Sequence, residues 1–132
     1  MIKEFQGEYR WLSNFWPCII YAYPSVEHAY QAMKTLDQKQ REQIRLAPTA
    51  AAAKKLGRSV TVRTDWNDIK LRVMEVCLRC KFKHQDLRAK LIATKGLELI
   101  EGNWWNDTYW GVCKGKGENH LGKLLMKIRS EL

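Results

Sequence analysis

Two segments far apart in the chain carry residue types that can do chemistry. Ser25-Val26-Glu27-His28-Ala29-Tyr30-Gln31-Ala32-Met33-Lys34 sets a carboxylate, an amide and an amine at i, i+4 and i+7. That spacing predicts one polar stripe beside the apolar face of a helix. The second segment is Asn106-Asp107-Thr108-Tyr109-Trp110-Gly111, followed by Gly115-Lys116-Gly117-Glu118-Asn119-His120-Leu121-Gly122. It offers a carboxylate at Asp107, an aromatic plate at Trp110, and a glycine-rich entry into a helix through Gly117 and Asn119. Backbone N–H groups at a helix start can receive a phosphate. Two carboxylates, an aromatic surface and an anion-binding helix start are the parts needed to cleave a sugar-to-base bond in a phosphorylated nucleoside-like molecule.

Each feature also has a plainer reading. A polar triplet on a helix is commonly a solvated flank. Asn, Asp and Gly are ordinary turn formers, so Asp107 alone would be structural, and the 115–117 glycines could be a connector. The glycine segment also lacks the Gly-Lys-Ser/Thr ending of a Walker A loop. The aromatic density around Asp107 is less ordinary: Trp104, Trp105, Tyr109 and Trp110 occupy four of the nine positions 103–111. Large aromatics in a polar loop are core plugs or stacking surfaces for flat ligands. Trp66, directly after Asp65, offers the same choice.

The elements must bring these groups together within 132 residues, enough for a single domain with one core. Apolar residues at 45% and charged residues at 28% describe a globular chain. No apolar run approaches a membrane span, and the first residues lack a secretory h-region, so a cytoplasmic protein with no membrane partner is expected. Cys77-Leu78-Arg79-Cys80 has no second pair to complete a zinc ribbon and falls late in a helix, so buried inert thiols are expected. No His/Cys/carboxylate spacing suggests a metal, and no cofactor is expected. The net charge of +9 concentrates in residues 39–63, where seven basic residues (Lys39, Arg41, Arg45, Lys54, Lys55, Arg58, Arg63) face one acid, Glu42. A second basic stretch covers residues 114–129. Such clusters attract nucleic acid and phosphorylated metabolites alike.

Pattern and punctuation predict a helix-rich α+β domain over residues 1–132, about six helices around a small sheet. Ile2–Phe5 and Cys18–Tyr23 read as early strands that could pair. Pro24 breaks the second, and Ser25 caps a helix burying Val26, Ala29, Tyr30 and Met33. Helices follow at Gln38–Leu46 and Pro48–Leu56, the latter with Gly57 just past its end. Asp65 caps the longest helix, which runs to about Lys81 with Ile69, Val73, Val76, Cys77 and Cys80 inward. His84–Thr94 is a further helix and Leu97–Glu101 a strand. Asn119 caps the last helix, whose stripe is Leu121, Leu124, Leu125, Ile128 and Leu132.

In order along the chain, Leu12-Ser13-Asn14-Phe15 with Trp16-Pro17, the 25–32 segment with Lys34, Ala53-Lys54-Lys55-Leu56-Gly57-Arg58, Arg63, Trp66, Lys70 and Lys81-Phe82 resemble the NADAR family. So do Leu91-Ile92-Ala93-Thr94, Asn106–Gly111 and Gly117–Met126. The likeness is strongest to its small bacterial YbiA-type N-glycosidases and covers nearly the whole chain. It implies hydrolysis of an N-glycosidic bond, on ribosylamino-pyrimidine phosphates of early riboflavin synthesis in that branch, or on ADP-ribosylated guanine in another. By matching position it points to Glu27, Trp66 and Asp107, with Lys34, Arg58, Lys70, Trp110 and Asn119 lining the site. Two departures flank Asp107: Val112-Cys113, where the family has an acid and a glycine, and the Trp104-Trp105 pair.

On this reading Glu27 and Asp107 divide the stabilisation of the developing sugar cation and the activation of water. Trp66 stacks on the base, and the basic residues with the Asn119 helix start hold the phosphate. Lys34 opens another route, attack on the sugar's C1 to form an imine. A site acting on ADP-ribosylated guanine in nucleic acid, or a non-catalytic nucleotide- or nucleic-acid-binding module, would use the same charge.

Overall fold

The computed structural model describes residues 1–132, which form two compact units: Asn14–Lys81, and Met1–Ser13 with Phe82–Leu132. The class is helix-rich α+β, with six α-helices, one 3₁₀ turn and two separate two-stranded sheets. The expected single sheet is thus two small ones. No helix is long and apolar enough to cross a membrane.

In the Asn14–Lys81 unit, β1 (Pro17–Ile20) and β2 (Tyr23–Ser25) form an antiparallel hairpin. Its two turn residues, Tyr21 and Ala22, both have positive φ, 49° and 72°. A tight hairpin demands that geometry, and glycine or asparagine usually supplies it. Pro24 therefore lies inside β2 rather than ending a strand. Helix α1 (Val26–Ala32) is central: all seven residues are buried, and α2 (Gln38–Arg45), α3 (Ala50–Gly57) and α4 (Trp66–Lys81) pack around it. Ser25 caps α1 as expected, its Oγ accepting from His28 N at 3.1 Å. The His28 ring is locked between Ser25 Oγ (2.7 Å) and the Ala47 carbonyl (3.1 Å), a satisfied core histidine.

Asp37 and Thr49 cap α2 and α3 with their side chains. Gly57 is the last residue of α3 rather than a residue beyond it. On α4 the buried face is Trp66, Met74, Cys77, Leu78 and Lys81, rotated from the expected one; Val76 is exposed, and Ile69, Val73 and Cys80 are half-buried. The face through Met74, Cys77 and Leu78 carries Lys81 inward with it, fully buried. All four cysteines are free, and burial pushes the Cys77 thiol up to about 12, which makes it inert.

In the other unit, Ile2 pairs with Leu99 in a parallel bridge, with Ile2 N donating to Glu98 O and Ile100 N to Ile2 O. The N-terminal segment thus finds residues 98–102, not the 18–23 segment, whose own hairpin already satisfies it, and the strands expected at Ile2–Phe5 and Leu97–Glu101 reduce to this one bridge. The 3₁₀ turn Gly7–Leu12 had no clear sequence signal. Helix α5 (Gln85–Ala93) ends at Thr94, two residues before Gly96 with φ 87°. Strands β3 (Gly102–Asn103) and β4 (Val112–Cys113) are parallel. Helix α6 (His120–Ser130) buries Leu121, Leu124, Leu125 and Ile128, while Leu132 falls beyond its end and is exposed.

Candidate active site

Glu27, Lys34, Arg58, Trp66 and Lys70 all belong to the Asn14–Lys81 unit. Glu27 lies in the first turn of α1, only 8% exposed. Its backbone N–H donates to the Asn14 carbonyl (3.1 Å), and its Oε2 accepts from Gln31 Nε2 (2.9 Å). This i, i+4 pair is no solvated flank, because Gln31 is buried too. A carboxylate taken from water this far is costly unless opposite charge or donors attend it.

Lys34 does not continue that helix. Helix α1 stops at Ala32, and Lys34 sits in the turn beyond, pinned by Lys34 N to Gln31 O (3.2 Å) and Arg63 N to Lys34 O (2.7 Å). Its amine is held below the ordinary lysine range. Burial is the main cause, the Glu27 charge opposes it, and Arg58, Lys54 and Lys70 push further down. Four cations and one carboxylate thus share one electrostatic neighbourhood. Lys54 and Arg58, four apart at the end of α3, present the same side of that helix. Asp65 sits just before α4, its carbonyl accepting from Asp68 N and Ile69 N while its carboxylate grips Arg63 at 2.6 and 3.1 Å. Trp66 is 7% exposed and packs on Tyr30, ring centroids 5.0 Å apart.

Two buried carbonyl oxygens in this unit, Asn14 Oδ1 and Gln31 Oε1, accept no hydrogen bond. Such groups are rare and call for a donor from water or ligand. Asn14 and Gln31 touch Glu27 through the bonds just given. Sequence reasoning gave Gln31 only as the amide of the helical stripe and named neither Asn14 nor Lys54 as a site residue. The signal for Gln31 was its i+4 spacing from Glu27; for Lys54 it was the i, i+4 spacing to Arg58.

Asp107, Trp110, Gly117 and Asn119 belong to the other unit. Asp107 organises its loop: Oδ1 accepts from Tyr109 N (3.1 Å) and Trp110 N (2.9 Å), leaving Oδ2 outside these bonds. Asn103 clamps the Asp107 backbone from the other side, accepting from its N–H at 3.1 Å and donating to its carbonyl at 2.9 Å. Trp110, Tyr109 and His120 form one aromatic cluster.

The phosphate cradle expected at the α6 start needs correcting. Glu118, Asn119, His120 and Leu121 donate their N–H groups to the carbonyls of Thr108, Gly111, Tyr109 and Trp110. Those donors are spent on the chain itself. Asn119 holds the cap position in a left-handed conformation (φ 52°) with no side-chain cap bond. Its amide bridges the neighbouring strand, with Nδ2 donating to Leu99 O and Oδ1 accepting from Glu101 N, both at 2.9 Å. Gly117 has φ 152°, and a Cβ there would collide with the Gly111 carbonyl, so glycine serves close backbone approach.

A buried carboxylate with an oriented amide, a depressed amine and clustered cations is chemistry that can be compared with known proteins. The NADAR domain family matches residues 2–132. The chain belongs to the NADAR family. It is 43% identical to N-glycosidase YbiA of Escherichia coli strain K12, over 95% of this chain and 82% of that protein. It is 40% identical to riboflavin biosynthesis protein VVA0006 of Vibrio vulnificus, over 92% of this chain and 35% of that longer protein. The NMR structure of E. coli YbiA superposes with a TM-score of 0.86 at 40% identity, covering 98% of this chain and 82% of that one. The NADAR fold and the helix-rich α+β class therefore agree.

Proposed function

We propose that this NADAR protein, residues 1–132 taken as one domain, is an N-glycosidase hydrolysing the bond between ribose 5-phosphate and a pyrimidine amine in early riboflavin-pathway intermediates. The names of its relatives support both the bond type and the pathway. The observation that carries the reading is Glu27: a buried carboxylate held by Gln31, in the charge neighbourhood of Lys34. A cytoplasmic setting suits its four free thiols.

Cleavage of a ribosyl C–N bond builds positive charge on C1. Glu27 stabilises that charge, and Asp107, whose Oδ2 lies outside its loop bonds, is the second carboxylate the sequence offers for activating water. Lys54, Arg58 and Lys70 hold the phosphate in place of the α6 start, whose donors are committed. Asn14 Oδ1 accepts from a ribose hydroxyl, and Trp66 contacts the pyrimidine.

The depressed amine of Lys34 favours a second route. Nζ attacks C1 as the C–N bond breaks, the departing amine takes a proton, and the sugar ring opens to an imine. Water then hydrolyses the imine and returns the lysine.

The test offers a ribosylamino-pyrimidine phosphate and an ADP-ribosylated guanine side by side. Release of ribose 5-phosphate is expected; release of ADP-ribose alone would replace this reading with the other branch.

A further inference from the structure

The loop between β3 and β4 displays two tryptophans that the proposed chemistry leaves unused. Trp104 is 72% exposed and Trp105 38%, with ring centroids 4.8 Å apart at 82°. Exposing an indole this far forfeits apolar burial, so an outward tryptophan pair on a built loop calls for a ligand. The loop is indeed built. Asn103 and Asp107 close it with two hydrogen bonds, and Asn103 Nδ2 also donates to Glu101 Oε2 at 2.9 Å. Residues 104–106 are thereby pushed outward as a short bulge, with Asn106 in the left-handed region.

The parallel register brings the turn that carries Lys114 and Lys116 next to the tryptophan bulge. Gly102 pairs with Val112 and Asn103 with Cys113, so Trp104 and Lys114 leave the same end of the two strands. Cys113 and Lys116 then close a tight turn, with Lys114 (φ 53°) and Gly115 (φ 76°) at its tip. Lys114 and Lys116 are both exposed, and Cys113 Sγ lies 3.8 Å from Asn106 Oδ1, tying turn to bulge.

We propose that Trp104 and Trp105, flanked by Lys114 and Lys116, form a base-stacking platform for single-stranded nucleic acid. Unpaired bases present faces for the indoles, and their phosphates match the lysines. Duplex DNA hides those faces. A second copy of this chain is disfavoured as the occupant, because it would bring one +9 molecule against another. The proposal concerns binding and does not depend on the hydrolytic reading.

Fluorescence anisotropy with a fluorescein-labelled oligothymidine tests it, using the full chain at low and moderate salt. Binding is expected to weaken steeply with salt and to fall about tenfold or more in Trp104→Ala, on the usual strength of one stacked base. Lys114→Asn, which keeps the left-handed turn accessible, should lessen the salt slope by about one. A duplex of equal length should bind much more weakly. Circular dichroism checks that each variant is folded. Equal affinity of Trp104→Ala and the parent, no binding by the parent at low salt, or Trp104-dependent self-association in sedimentation without oligonucleotide binding would each overturn the platform.

Discussion

Gly57 leaves its side-chain space to Gln31: a Cβ at position 57 would overlap Gln31 Oε1 and crowd its Cδ. The last turn of α3 thus comes against the amide that orients Glu27, and one missing methyl group permits it. Gly57 has no left-handed backbone to justify it, so close approach is the reason for glycine here.

Gly57→Ala should therefore displace Gln31, lose the Glu27–Gln31 bond and cost about 1–3 kcal/mol by overpacking. Urea denaturation and steady-state turnover are the measurements. The double variant with Gln31→Ala should regain most of the stability but not the turnover, since the clash is relieved while the orienting amide is gone. Equal turnover in Gly57→Ala and the parent would detach this contact from catalysis.

Glu27→Gln and Asp107→Asn should each lower turnover by at least about 100-fold if they act in proton transfer or charge stabilisation. Asp107 also carries two backbone bonds, so its melting temperature must be measured beside its rate. A loss under tenfold in both, with folding intact, removes the carboxylates from the chemistry.

The amine route makes a prediction in pH. Burial, helped by Arg58, Lys54 and Lys70, holds Lys34 below the lysine range, so its free-base fraction and the rate rise with pH to an early plateau. Arg58→Gln removes one repelling cation and should move that rise to higher pH. Borohydride added during turnover should fix a sugar adduct on Lys34, read by peptide mass. Activity without any trapped adduct returns the reaction to the carboxylates.

Lys81 is fully buried at the end of α4, and burial brings its amine down to about 7. Below that pH both folded and unfolded chains hold the proton. Between pH 7 and about 10.4 only the unfolded chain holds it, so this group's contribution to stability rises with pH by up to about 1.4 kcal/mol per unit. Subtracting the stability of Lys81→Met at each pH cancels the opposing trend from Cys77, whose raised value acts the other way. A flat difference from pH 7 to 10 would contradict the depressed amine.

Asn119→Ala removes one buried and one part-buried hydrogen bond and puts alanine in a left-handed position, and about 2–3 kcal/mol of stability should go with them. Its KM for a phosphorylated substrate should barely change, because the amide serves Leu99 and Glu101. A large rise in KM with stability preserved would restore the α6 start as a phosphate site.

Local chemistry was legible in the chain wherever one residue acts on its near neighbours. Ser25 had to cap α1, α2 and α3 fell near their expected bounds, and the apolar spacing of α6 gave its buried face through Ile128. The family motifs carried the bond type and the candidate carboxylates. What distant segments do to each other was not legible. Only the folded chain decided that Ile2 pairs with Leu99, that α4 turns Lys81 inward, and that the α6 N–H groups are consumed by the 108–111 carbonyls. The same holds for Lys34, whose low amine comes from burial and from cations 20 to 36 positions away along the sequence. Periodicity records which side of an element is apolar; hydrogen-bond partners and electrostatic neighbours across the chain exist only once tertiary packing has chosen among the surfaces available.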